Sequence, residues 1–134
     1  MFKIKNKIFA WSLYDFASQP FSTIIVTFIY SAFFTTYIVE DVDKGTLLWT
    51  RVISISAIIA AILSPILGAI ADRNSSRKLM LIITTCISII FIGLLYFPEK
   101  GDIMFSLIFF DIANVAFELS TVFYNCLLYT SDAA

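Results

Sequence analysis

Long uncharged runs separated by short charged connectors dominate the pattern of this chain. Residues 16–39, 52–71 and 79–98 carry no charge at all, and 103–125 is interrupted only by Asp111 and Glu118. A helix needs about 20 mostly apolar residues to cross the hydrocarbon core of a bilayer. Helices are favoured there because every backbone N–H and C=O must find its partner inside the segment. The pattern therefore predicts four transmembrane helices, over those same four ranges. The connectors 40–49, 72–78 and 99–102 are short, with no Pro/Gly/Ser-rich linker and no soluble domain between them. One all-α membrane bundle is expected.

Composition narrows the class further. The chain is 60% hydrophobic and 14% charged, with a mean hydropathy of +0.91, more apolar surface than a soluble core can absorb. Its net charge of −1 gives no general affinity for nucleic acid, so the lipid bilayer is the first partner to expect. Lys3, Lys5 and Lys7 precede the first run, while Arg73, Arg77 and Lys78 fill the second connector. Basic residues near span ends stay on the cytoplasmic side, which puts the N-terminus and that connector in the cytosol. In the other two connectors Lys44 and Lys100 are diluted by Glu40, Asp41, Asp43, Glu99 and Asp102. Trp11, Tyr14, Trp49, Tyr96 and Phe97 stand near span ends, as interfacial aromatics do. A cleaved signal peptide is a poor fit, because the apolar run is too long, Asp15 stands near its start and no small-residue cleavage site comes after it. Cys86, in mid-span, and Cys126 fix no redox compartment.

The last nine residues, 126–134, read as the translation of a transposase-derived sequencing adapter, and are set aside from fold and function reasoning. On that reading the membrane domain occupies 1–125, and the natural chain continues beyond Asn125.

The chemistry of common enzymes is missing. The chain has no histidine and no HExxH, CxxC, Walker or GxSxG arrangement, which removes the usual metal, redox, phosphate and nucleophile sites. No enzyme activity, metal or cofactor is expected.

What remains is a small set of polar residues inside apolar spans. Asp111, Asn114, Glu118, Thr121 and Asn125 follow steps of three or four and share one helix face. Asp15, Ser18, Gln19 and Ser22 make a shorter stripe in the first span. A carboxylate at mid-membrane costs at least about 2.5–3.5 kcal/mol on insertion scales, so such groups are expected to face a protein interior or a watery cavity. The candidates for a solute or proton pathway are Asp15, Gln19, Asp111, Asn114 and Glu118. Interhelical hydrogen bonding, worth about 0.6 kcal/mol per pair, is the plainer reading. It carries more weight for Asn114, Thr121, Asn125, Ser18 and Ser22 than for the carboxylates. Arg51 is expected to snorkel to the interface, with a pairing to Asp111 as the weaker alternative.

The second connector, Gly68-Ala-Ile-Ala-Asp72-Arg73-Asn-Ser-Ser-Arg77-Lys78, resembles the loop between the second and third helices of major facilitator superfamily transporters. Ser75 stands where that loop usually has a second glycine. Trp11-Ser-Leu-Tyr14-Asp15-Phe16-Ala17-Ser18-Gln19-Pro20-Phe21, the stretch from Leu63 to Arg73, and Phe123-Tyr124-Asn125 resemble the UMF1 branch, which includes vacuolar amino-acid effluxers. The resemblance covers nearly all of 8–125. It implies that this is the N-terminal part of a twelve-helix transporter that moves a small solute, an amino acid among those the family suggests, by alternating access. It further implies that the first and fourth helices border the central cavity, and that Gly68, Asp72, Arg73, Arg77 and Lys78 form a gating hinge. Two other readings compete. One is a complete four-helix, proton-coupled small multidrug-type exporter acting as a dimer, with Asp15 as its carboxylate. The other is a structural membrane subunit without transport.

Overall fold

The computed structural model describes the backbone of residues 2–132 and the side chains of residues 5–130. The side chain of Lys3 and those of tail residues 131–134 lie outside the described residues. Among the described residues every regular element is helical: α1 (Phe2–Pro20), α2 (Tyr30–Phe33), α3 (Val42–Arg73), α4 (Arg77–Leu94) and α5 (Ile103–Asp132), with π-helical segments at Phe21–Ile29 and Phe34–Ile38. They supply four helical stretches long and apolar enough to cross a membrane: Lys5–Ile38, Val42–Arg73, Arg77–Leu94 and Ile103–Thr130. The chain is an all-α integral membrane protein.

The helices overrun the apolar runs wherever the flanking residues can still wind. α1 begins among the N-terminal lysines, and α3 begins at Val42, so the expected ten-residue connector shrinks to 39–41. Asp41 explains the early start, because its Oδ1 accepts from the backbone N–H groups of Asp43 at 3.1 Å and Lys44 at 3.2 Å. These are two donors that the first turn of a helix leaves unpaired. α4 stops at Leu94, short of the expected 98; Pro98 disfavours helical geometry at the residue before it. α5 starts at Ile103 and continues through the tail residues to Asp132.

The chain divides into two compact units, Met1–Thr46 and Leu47–Ala134. In the first, the helix loosens after Pro20, which has no N–H to give, and through the β-branched run 23–27, whose residues crowd a helix. Widened i→i+5 bonding takes over: the Tyr30 N–H reaches Ile25 O, and the Thr27 hydroxyl donates to Ser22 O at 2.9 Å. Phe21, Tyr30, Phe34 and Ile38 are buried. Gly45 comes so close to Thr35 that a Cβ at position 45 would lie 2.8 Å from Thr35 Cα.

In the second unit, α4 packs along α5 through small side chains. Thr84, Ser88, Ala113, Ala116 and Ser120 are buried, and the Ser88 hydroxyl donates across to Ala113 O at 3.2 Å. Short side chains let backbones approach, which is how helices associate when lipid gives no hydrophobic drive between them. Larger groups close the ends. Ala71, Leu119 and Phe123 form a buried cluster flanked by Leu63, Leu67 and Met80, while Trp49 lies on Phe110 with ring centroids 4.1 Å apart. The big aliphatics Ile58, Ile62, Ile82, Ile89 and Ile90 point outward, the reverse of a soluble protein and the arrangement lipid demands.

Candidate functional site

α5 carries the most informative polar group. Asp111 is half-buried, and its Oδ1 accepts from the Ser56 hydroxyl of α3 at 2.6 Å. Ser56 is fully buried and also lies 2.9 Å from the carbonyl of Val52, one turn back on its own helix. A hydroxyl has one hydrogen and two acceptor sites, so this arrangement is satisfied in either protonation state. With Asp111 ionised, Ser56 donates to it; with Asp111 protonated, Ser56 accepts and turns its own hydrogen to Val52 O. Asp111 is therefore held by Ser56 and not by Arg51, which is exposed.

Sequence reasoning missed Ser56, because a serine in an apolar run costs little and carries no charge. A signal was present in spacing: Ser56, Ala60 and Ser64 recur every four residues on α3, a small-residue face of the kind that lets another helix approach. Both Ser56 and Ala60 are buried.

Asp111 also opens onto a groove of ≈ 420 Å³ whose other walls come from α3, α4 and α5. Of the remaining stripe, Asn114 is buried, Glu118 and Asn125 are exposed, and Thr121 is half-buried. Thr121 donates to Phe117 O at 3.1 Å, so its hydroxyl serves its own helix. In the first unit, Asp15 and Gln19 are exposed. Ser18 and Ser22 bond back to the carbonyls of Tyr14 at 2.8 Å and Gln19 at 3.2 Å.

The hinge is built by backbone bonding at the end of α3. Ser76 N–H donates to Ala71 O at 2.9 Å and Ser75 N–H to Asp72 O at 3.4 Å, the paired bonds of a Schellman helix stop. That stop needs a left-handed residue just past the helix, and Ser75 occupies it with φ 51°. The position where the resembled loop has glycine is thus the one where glycine's freedom matters. Asp72 Oδ1 lies 2.5 Å from Arg77 Nε, a pairing that spans the turn. Arg77 also donates to Thr130, a residue of the 126–134 tail and so no part of the hinge reading. Arg73 closes the last turn of α3, where a cation complements the helix dipole. Arg73 and Lys78 are exposed, and a Cβ at Gly68 would meet nothing within 4 Å. Among the described residues, no group of three or more potential ligands could hold a metal ion.

Comparison with known proteins agrees with this frame. Over 122 residues the chain is 27% identical to an uncharacterized MFS-type transporter, YxiO of Bacillus subtilis strain 168, a match covering 89% of this chain and 28% of the relative. The chain thus spans little more than a quarter of that relative's length. No solved structure matches. Residues 46–128, which take in α4, the hinge, the Ser56–Asp111 pair and most of α3 and α5, match the family described as vacuole effluxer Atg22 like, and the chain belongs to that family of transporters.

Proposed function

We propose that this chain forms the opening helices of a secondary transporter that moves a small solute, with amino acids the first class to test, across a bacterial plasma membrane by alternating access. The observation that carries the reading is the Asp111 carboxylate, kept inside an apolar span and held by Ser56 at 2.6 Å in a chain of the effluxer-like family. A charge that expensive to insert marks a solute or ion path in membrane proteins. The Ser56 hydroxyl can follow Asp111 through a change of protonation, which suits proton carriage.

In this proposal Asp15, Gln19, Asp111, Asn114 and Glu118 belong to the solute or proton path. Gly68, Asp72, Arg73, Arg77 and Lys78 form a gate that is made and broken as the halves of the full transporter rock about a midplane site. The exposed Lys5 and Lys7 and the basic hinge support a cytoplasmic N-terminus.

The test is transport by the protein encoded by the complete reading frame, reconstituted in proteoliposomes and offered labelled amino acids with and without a pH gradient. Asp15→Asn, Asp111→Asn and Glu118→Gln are each expected to lower the rate by about tenfold, the loss of an interaction worth about 1.4 kcal/mol, at unchanged membrane abundance. Undiminished transport by all three variants would return these side chains to a packing role.

A further inference from the structure

We propose that the groove beside Asp111 binds the ammonium end of a small aliphatic amine. The proposal rests on the transport reading and deepens it by naming the chemistry of the solute.

The walls decide the shape of what fits. Ile59, Met80, Ile83, Ile87, Val115 and Leu119 make most of the lining, and no aromatic or basic side chain takes part. A volume of ≈ 420 Å³ accepts a short branched or linear alkyl group, and without an aromatic face there is no cation–π cage of the kind that selects quaternary ammonium. The cation is held instead by hydrogen bonds, which need N–H.

The two polar groups in the lining, Asp111 and Thr84, decide which end of a ligand is read. Asp111 has Oδ1 engaged by Ser56, and as a carboxylate it offers only acceptors from Oδ2. Thr84 has its hydrogen directed to its own helix, toward Met80 O at 2.9 Å and Leu81 O at 3.1 Å, so its oxygen too is left to accept. The groove therefore presents acceptors and one negative charge, with no donor for a ligand carboxylate. An alkylammonium satisfies it with a full charge and several N–H donors, an alkanoate is repelled, and an alcohol of equal length brings no charge and a single O–H donor, which the carboxylate can take. A zwitterionic amino acid finds a partner here for its amine and none for its carboxylate.

The experiment measures binding of hexylamine, hexanol and hexanoate to the full-length protein in nanodiscs by titration calorimetry. Hexylamine is expected to bind about tenfold or more tighter than hexanol, the size of a charge-assisted hydrogen bond, and hexanoate to bind more weakly than hexanol. In Asp111→Asn the preference for hexylamine should vanish while hexanol binding persists, which shows that the groove is still formed. If that variant loses hexanol as well, Thr84→Val decides: hexylamine should weaken several-fold with hexanol unchanged. Equal affinity for hexylamine and hexanol in the unaltered protein overturns the proposal, as does a preference that survives Asp111→Asn or a Thr84→Val that leaves hexylamine binding intact when it is the deciding variant. Because transport of labelled amino acids is measured separately, an active transporter that ignores hexylamine rejects the amine site and leaves the transport reading standing.

Discussion

The turn from Val39 to Asp41 and the hinge from Asn74 to Ser76 face the same task and accomplish it differently. Each must stop one membrane helix and start the next within a few residues, and each does so through one non-glycine residue in the left-handed region, Glu40 at φ 56° and Ser75 at φ 51°. The first turn takes its order from the helix it opens. Asp41 caps α3 by accepting from two backbone N–H groups, and Gly45 lets the new helix press against Thr35. The hinge takes its order from the helix it closes, because the N–H groups of Ser75 and Ser76 bond back to the carbonyls of Asp72 and Ala71. One turn depends on the identity of particular side chains, the other on backbone bonds that any residue tolerant of positive φ could make.

That difference predicts opposite responses to substitution, the largest at Gly45. In Gly45→Ala the new Cβ would sit 2.8 Å from a backbone atom of Thr35, which cannot swing aside as a side-chain tip would. Repacking strain of about 1–3 kcal/mol outweighs the gain in helix propensity of at most about 1 kcal/mol. A clear fall in resistance to unfolding by SDS is expected for the full-length protein. An unchanged or improved midpoint would mean that the two helices separate freely at this point.

Ser75→Gly should move the other way. A residue with a Cβ carries a cost of about 1 kcal/mol in the left-handed region, and glycine removes most of it, less the greater freedom glycine brings to the unfolded chain. The variant should be slightly more stable, and Ser75→Val less stable than either. If Ser75→Gly instead lowered stability, the Schellman bonds would not be what fixes the hinge.

These contrasts explain how much could be read from the sequence alone. The four spans were legible because hydrocarbon imposes one coarse requirement, about 20 apolar residues, and the sequence meets it in uninterrupted runs. Ser75 was legible as an anomaly, and the physical meaning of the missing glycine emerged with its φ. Nothing in the sequence marks Gly45, because a glycine at a close approach looks like any other until the neighbour is known; Gly68, the glycine within the family-like loop, has open space around it. Asp111 stood out by its charge, but Ser56 did not, since a hydroxyl in a helix can always bond to its own carbonyls. Helix ends were the least legible part. Hydropathy marks where lipid begins, whereas caps such as Asp41 mark where winding begins, and the two differ by ten residues for α3, which starts at Val42 against an apolar run starting at Val52.

Asp41 sharpens the comparison through pH. Its carboxyl is held below the ordinary carboxylate range, first by the backbone N–H of Lys44, with the Lys44 charge adding to it and burial opposing it. A folded-state value below the unfolded one means that this contribution is present above the unfolded pKa and is lost as pH falls through the folded one. Asp41→Ala should therefore lower stability at neutral pH, and the gap to the unaltered protein should close as the medium is acidified below the usual carboxylate range. A gap independent of pH would assign the effect to something other than the charged cap. No matching pH response is expected for Ser75→Gly, since its bonds are between backbone groups that do not titrate.

The smallest effect is expected where the hinge looks most strongly tied, at Asp72 and Arg77. Their contact is close, at 2.5 Å, yet the two side chains are 57% and 30% exposed, and exposed ion pairs gain little once side-chain ordering and screening are counted. A double-mutant cycle with Asp72→Asn and Arg77→Gln, read by SDS unfolding, should give a small coupling that shrinks in 1 M salt, where screening acts over about 3 Å. The same cycle read by transport rate should give a larger coupling if the pair serves the gate, because a gate needs a difference between states more than it needs stability. Coupling of equal size in both measurements would make the pair a simple fastener of the turn, and would leave the backbone bonds of Ser75 and Ser76 as the feature that defines the hinge.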